Sequence, residues 1–139
     1  MGPRLIKALT RLQSPIFTMM RGRLQGPPTL RLWTMGRTSG QERAVLLLYL
    51  DDGPRVIVVA SYGGYSEHPQ WWKNLLAEPN CRIWSAARGA EDVVASELEG
   101  EEREAIWERL ISMYSPYGGY QEKTSRRIPL VALTPSESD

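Results

Sequence analysis

Apolar residues recur along this chain with two periods, and the change between them divides it. In residues 1–26, Leu5, Leu9, Leu12 and Ile16 share one side at helical spacing, with Ile6 and Phe17 beside them. Arg4, Lys7 and Arg11 fall on the opposite side. The pattern predicts an amphipathic helix, ended by Arg21-Gly22-Arg23 and by the linker Gly26-Pro27-Pro28. From Thr29 the period drops to two. Leu30, Leu32 and Thr34 alternate with Arg31, Trp33 and Met35, as in a half-buried strand over residues 29–35. Residues 43–50 are apolar nearly throughout, the pattern of a strand covered on both faces. Asp51-Asp52-Gly53-Pro54 then turns the chain into a β-branched strand over 55–61, so these two strands are predicted to form a hairpin.

A Gly- and Tyr-rich loop, 61–69, leads into a short helix over 69–77 that opens on a proline and stops before Pro79. Residues 81–87 and 93–98 predict two more strands on either side of an Arg88-Gly89-Ala90 turn. Residues 101–113 predict a helix with Ala105, Ile106, the stem of Arg109, Leu110 and Met113 turned inward. Residues 114–120 are expected to form a loop, because Pro116 and Gly118-Gly119 oppose a helix. A last strand is expected over 128–134, followed by a frayed tail. Six strands with only two short helices among them lack the crossovers of a parallel sheet. The expectation is a mainly β protein: a small, closed or nearly closed antiparallel barrel that holds its ligand at the rim. Residues 1–26 form the helix and linker, and residues 27–139 form the barrel domain.

At 139 residues, 42% hydrophobic and 24% charged, the chain has the size and balance of one globular domain. Its single cysteine, Cys81, excludes an internal disulfide and a four-thiolate metal site. Its single histidine, His68, excludes a multi-histidine centre, so no metal is expected. No run approaches the ~20 apolar residues of a membrane-spanning helix, and no signal peptide is evident. A cytoplasmic protein is the expectation. Charge is uneven. The first 41 residues carry seven Lys or Arg and no carboxylate, whereas the remainder carries ten basic and sixteen acidic side chains. This is not the uniform basicity of a nucleic-acid binder. The basic helix either packs on the barrel, meets the partner of a homodimer, or lies peripherally on an anionic membrane surface at the inner face of the cell membrane.

No nucleophile elbow, P-loop or dinucleotide fingerprint is present. His68 reads as structural, and Cys81, at the start of a strand, as buried. If the chain is an enzyme, a bound cofactor must carry the hard chemistry. Two segments offer a place for one. The loop from Thr34 to Arg43 holds Arg37, Thr38, Ser39 and Arg43 among glycines, a set that suits phosphate or carboxylate, although composition alone reads equally as a polar hairpin loop with incidental arginines. The stretch Ala60-Ser61-Tyr62-Gly63-Gly64, followed by His68-Pro69-Gln70-Trp71-Trp72-Lys73-Asn74-Leu75, combines aromatic rings, a side-chain amide and glycine-freed backbone that either suit a planar heterocycle or, for the tryptophans, simply fill the core.

Taken in order, G-R-x-S-G-x-x-R, V-V-A-S-x-G-G, H-P-x-W-x-x-N-L, Y-x-P-Y-x-x-Y and R-x-I-P make the chain resemble the deazaflavin-dependent nitroreductase and quinone reductase family from about Leu30 to Thr134. The resemblance implies a split β-barrel of the type that also binds flavin mononucleotide. It implies an enzyme using coenzyme F420, an 8-hydroxy-5-deazaflavin, to pass hydride to a quinone, nitro compound or conjugated enone. The amphipathic N-terminus is similar to that of the quinone-reducing branch, where it is associated with membranes. By the same resemblance, Arg37, Thr38, Ser39 and Arg43 would hold the coenzyme's phosphate and acidic tail, and Ala44, Val45 and Leu46 would line its ring end. Ala60, Ser61 and Tyr62 would contact the ring or ribityl chain, and Gln70, Trp71 and Asn74 would close the other side. Leu48, Tyr62, Tyr114, Tyr117 and Tyr120 would wall the acceptor's pocket, with Tyr114 or Tyr117 bonding the acceptor's oxygen or relaying a proton. Two lysines common in the family are replaced here by Thr38 and Tyr62, and an aromatic residue by Leu48. The other readings are a split barrel holding flavin mononucleotide and a carrier that binds the deazaflavin without turnover.

Overall fold

The computed structural model describes residues 27–136; the amphipathic segment read over 1–26 lies outside them. Seven strands follow in chain order: β1 (Thr29–Met35), β2 (Glu42–Leu48), β3 (Leu50–Asp52), β4 (Arg55–Val59), β5 (Asn80–Ser85), β6 (Gly89–Glu97) and β7 (Leu130–Pro135). Between them lie a 3-10 turn (Tyr62–Gly64) and helices α1 (Gln70–Ala77), α2 (Gly100–Met113) and α3 (Pro116–Glu122). All strand pairings are antiparallel, in the order β2-β1-β5-β6-β7-β4-β3.

The two outermost strands, β2 and β3, are separated in sequence by one residue, Tyr49. Its side chain is buried in the core, and its N–H donates to the Pro28 carbonyl at 3.0 Å. The chain thus passes from one edge of the sheet to the other through a single anchored residue, which forces the sheet to curl on itself. The expected 43–50 strand is divided there. Its hairpin with the next strand survives only as β3–β4, with Asp52 opposite Arg55, while β2 pairs with β1. Nor is β2 covered on both faces. It is an edge strand of half-buried residues, apolar because Val45 and Leu47 pack on the barrel core while its other face borders a groove.

The strands covered on both faces are β4 and β7. Val56 and Val58 of β4 point into the barrel beside Leu30, Leu32, Ile83, Val93, Trp71 and Trp72. Ile57 and Val59 point outward beneath Ile106, Leu110 and Tyr117 of α2 and α3. The inward face of α2 differs from expectation: Ala105 and Arg109 are exposed, and Arg103 is buried, its guanidinium donating to the Ile128 carbonyl at 2.8 Å. Residues 116–122 form a helix where a loop was expected. Pro116 sits at its first turn, where no N–H is required, and the buried Tyr117 anchors it to the core. Tertiary packing here outweighs the low helix propensity of Gly118-Gly119.

Candidate active site

The curl leaves an elongated groove of about 980 Å³ along β2. Strand rise makes the run from Arg43 to Leu48 roughly 17 Å long. At its start lies the β1–β2 loop, closed by the Gly36 N–H on the Gln41 carbonyl at 2.7 Å and the Gly40 N–H on the Gly36 carbonyl at 2.8 Å. Space at Gly36 is tight: a Cβ there would stand 2.7 Å from the Ser39 hydroxyl, which would have to turn away, and 3.1 Å from the Gln41 carbonyl.

A polar network fixes Arg37 from below. Buried Asn74 on α1 donates to the buried Thr34 hydroxyl at 3.1 Å, and its carbonyl accepts both the Arg37 N–H at 3.2 Å and Arg37 Nη1 at 2.8 Å. Arg37 Nη2 donates to Gln70 Oε1 at 2.7 Å. Gln70 and Asn74, expected to close one side of the site, also orient the arginine. Arg43 is exposed and touches the protein lightly, with Nη2 at 3.4 Å from Ser39 Oγ. Among the described residues no carboxylate lines the groove, so none there compensates the two guanidinium groups that face it.

The other end is aromatic. Tyr114 follows α2, and Tyr117 and Tyr120 stand one turn apart on α3, with ring centroids 5.0, 6.4 and 6.2 Å apart in edge-on or tilted arrangements. The Tyr114 and Tyr120 hydroxyls face each other at 3.4 Å. Tyr117 is 5% exposed, its hydroxyl has no hydrogen-bond partner among the described residues, and no fully buried polar side-chain atom there lacks one. Its hydroxyl therefore reaches the groove. Burial, with the neighbouring Tyr114 and Tyr120, pushes its ionisation well above the ordinary tyrosine value, so it remains a hydrogen-bond donor across the neutral and mildly alkaline range. The bond to Tyr120 also raises the ionisation of Tyr114 above the ordinary value.

The groove gathers Arg37, Thr38, Ser39, Arg43, Ala44, Val45, Leu46, Leu48, Ser61, Tyr62, Gln70, Trp71, Asn74, Tyr114, Tyr117 and Tyr120, all anticipated from the sequence. It does not include Ala60, whose side chain is fully buried in the barrel core. Thr34, Gly36, Gly63 and Pro69, which belong to the two segments singled out in the sequence, also line it, as do Leu47 and Val59, which were read only as strand residues. His68 and Cys81 stay outside it. His68 Nδ1 meets Arg126 Nη1 at 3.0 Å, and burial pushes the Cys81 thiol up to about 12, which leaves it inert.

A curled antiparallel sheet with a groove cationic at one end and aromatic at the other defines a split β-barrel suited to a long ligand that joins an anionic tail to a planar ring. The chain belongs to the F420H(2)-dependent quinone reductase family, whose model matches residues 9–135. A putative F420H(2)-dependent quinone reductase of Mycobacterium tuberculosis is 40% identical over 110 residues, 78% of this chain and 90% of its own. An F420H(2)-dependent quinone reductase of the same strain is 33% identical over 134 residues, 91% of this chain and 89% of its own. Among solved structures, an F420-H2 dependent reductase (FDR-A) superposes with a TM-score of 0.70 at 37% identity, over 78% of this chain and 96% of that one. A domain-swapped dimer superposes with a TM-score of 0.71 at 32% identity, over 96% and 99%. The family, fold and coenzyme implied by the five sequence motifs agree with these findings, which do not favour flavin mononucleotide.

Proposed function

We propose that this chain passes hydride from reduced coenzyme F420 to a quinone held in the groove along β2. The observation that carries the reading is the groove's polarity: two arginines with no carboxylate among the described residues at one end, three clustered tyrosines at the other. When bound, the coenzyme supplies a carbon hydride donor. Arg37 and Arg43, with Thr38 and Ser39, hold its phosphate and acidic tail, and Arg37 arrives already oriented by Asn74 and Gln70. The free edge of β2 over residues 44–46, the Ser61–Tyr62 segment and Trp71 line the ring. Leu48, Tyr114, Tyr117 and Tyr120 enclose the acceptor and exclude water, and the Tyr117 hydroxyl donates to an acceptor oxygen as charge develops on it.

Anaerobic mixing of the protein with reduced F420 and menadione tests the reading. The reduced-coenzyme spectrum should be lost in proportion to quinone. Tight coenzyme binding with no turnover on quinones, nitro compounds or enones would overturn it in favour of a carrier. Nitro and enone acceptors are further substrates in this proposal, because they are electron-poor and take hydride as a quinone does, with an oxygen for the Tyr117 hydroxyl to bond. A homodimer is supported by the similar solved structure described as a domain-swapped dimer. Peripheral contact with the inner membrane face is supported by the basic amphipathic pattern of residues 1–26. No helix among the described residues is long and apolar enough to cross a membrane. Co-sedimentation with anionic vesicles should be lost when residues 1–26 are deleted.

A further inference from the structure

Tyr62 is the only non-glycine residue among the described residues with a left-handed backbone, at φ 49°. Its ring is 56% exposed at the groove's rim, edge-on to Tyr65 with centroids 5.3 Å apart. A tyrosine in this conformation costs about 1–2 kcal/mol relative to the ordinary helical one, so the surroundings must hold it there.

The holding group is Arg126, which lines no part of the groove. Its guanidinium donates to three carbonyls that bracket Tyr62: Nη2 to Ser61 at 2.7 Å, Nε to Tyr65 at 2.9 Å and Nη1 to Ala60 at 3.2 Å. Nη1 also meets His68 Nδ1 at 3.0 Å. Arg126 is itself pinned, its N–H on Thr124 Oγ1 at 3.2 Å and its carbonyl accepting Gln121 Nε2 at 2.8 Å from α3. A planar five-donor fork can satisfy this set of acceptors, and a lysine cannot.

We propose that Arg126 is the positioning residue of the groove's rim, clamping the turn that carries Tyr62 so that its ring is presented to the coenzyme, with neutral His68 as one of the clamp's acceptors. The part concerning the coenzyme rests on the proposed function; the clamp itself does not. Because guanidinium only donates, His68 Nδ1 must be the unprotonated nitrogen. The charged groups facing it are Arg126 before β7, Lys73 on α1 and Glu97 on β6, and Lys73 is itself 3.5 Å from Glu67. Burial first, then Arg126 and Lys73, keep His68 neutral against the opposing pull of Glu97. Protonation would set two cations at the 3.0 Å contact and release the turn.

Hydrogen exchange on the ligand-free protein reads the clamp directly. The Gly64 and Tyr65 amides, bonded to the Ser61 and Tyr62 carbonyls, should exchange about tenfold faster in Arg126→Lys, with the β5–β6 ladder unchanged. Equal protection in both proteins, or a rise throughout the barrel, overturns the proposal. Fluorescence titration with oxidised F420 reads the consequence: Arg126→Lys should weaken binding about tenfold. In a Tyr62→Ala background the same change should add nothing, and independent, multiplying losses would contradict the assignment. Should Arg126→Lys fail to fold, His68→Gln decides, since its amide oxygen accepts from Arg126 and does not titrate. Wild type should lose coenzyme affinity between about pH 7 and about pH 5 more steeply than His68→Gln, and identical profiles refute the clamp. A wild type that binds no F420 at all refutes the proposed function, while the exchange experiment still judges the clamp.

Discussion

Charge at single residues decides how the groove takes its ligand. Arg43 is exposed and lightly held, whereas Arg37 is tied to Asn74 and Gln70. Arg43→Met should therefore weaken F420 binding about tenfold at low salt, less at high salt, and leave the melting temperature unchanged. Isothermal titration at two ionic strengths, beside a thermal melt, checks this. Tyr117→Phe removes the one tyrosine hydroxyl of the cluster that reaches the groove without a partner among the described residues. Stopped-flow turnover with menadione should fall about 10–100-fold with unchanged coenzyme affinity, since only the donor to the developing oxyanion is lost. The arginines were legible as residue types, since two guanidinium groups among glycines suit an anion, whereas the three tyrosines drew notice only through the family resemblance. Arg126 was visible only as a letter in R-x-I-P, because its partners are backbone carbonyls some sixty residues away, which no local pattern encodes.

Between elements, packing overrides local preference. Helix α3 forms over a Pro-Tyr-Gly-Gly sequence because Tyr117 and the turn at Gly64 grip it from two sides. Gly64 has φ 82°, and a Cβ there would lie 2.7 Å from the Tyr120 carbonyl. Gly64→Ala should cost at least ~1–2 kcal/mol from the backbone alone, read as a shift in the urea midpoint, with menadione turnover reduced through displaced Tyr120. Helix α2 is tied to the β3–β4 hairpin by charge. Asp52 accepts from Arg55 Nε at 2.8 Å and from Arg109 Nη1 at 2.7 Å, while Arg55 Nη2 reaches Glu102 at 2.7 Å. The bond from Arg109 and then that from Arg55 hold the Asp52 carboxyl below its usual value of 3.8. The unfolded chain binds the proton more readily, so this stabilisation is complete above that value and fades as acid drops below it. Asp52→Asn should cost about 1 kcal/mol in neutral denaturant melts, with the difference vanishing in strong acid.

Across the whole molecule, the short turns that join most of the strands made an antiparallel, curled sheet readable from the pattern, because parallel pairing needs long, helix-bearing connections and only the links after β4 and β6 carry them. Which strand would be buried on both faces was not readable. Periodicity cannot distinguish an apolar strand that faces a core from one that faces a ligand groove, and β2 is the second kind. The one-residue link through Tyr49 that brings the sheet's two edges together was equally hidden, since an uninterrupted apolar run gives no sign of a change of partner.

A crystal structure of the protein with oxidised F420 bound tests the central claim most directly. The account predicts phosphate or tail carboxylate oxygens within hydrogen-bonding distance of Arg37 and Arg43, and the deazaflavin ring between Tyr62, Trp71 and Tyr117. A tail lying elsewhere, with both guanidinium groups contacting only solvent and protein, would contradict it.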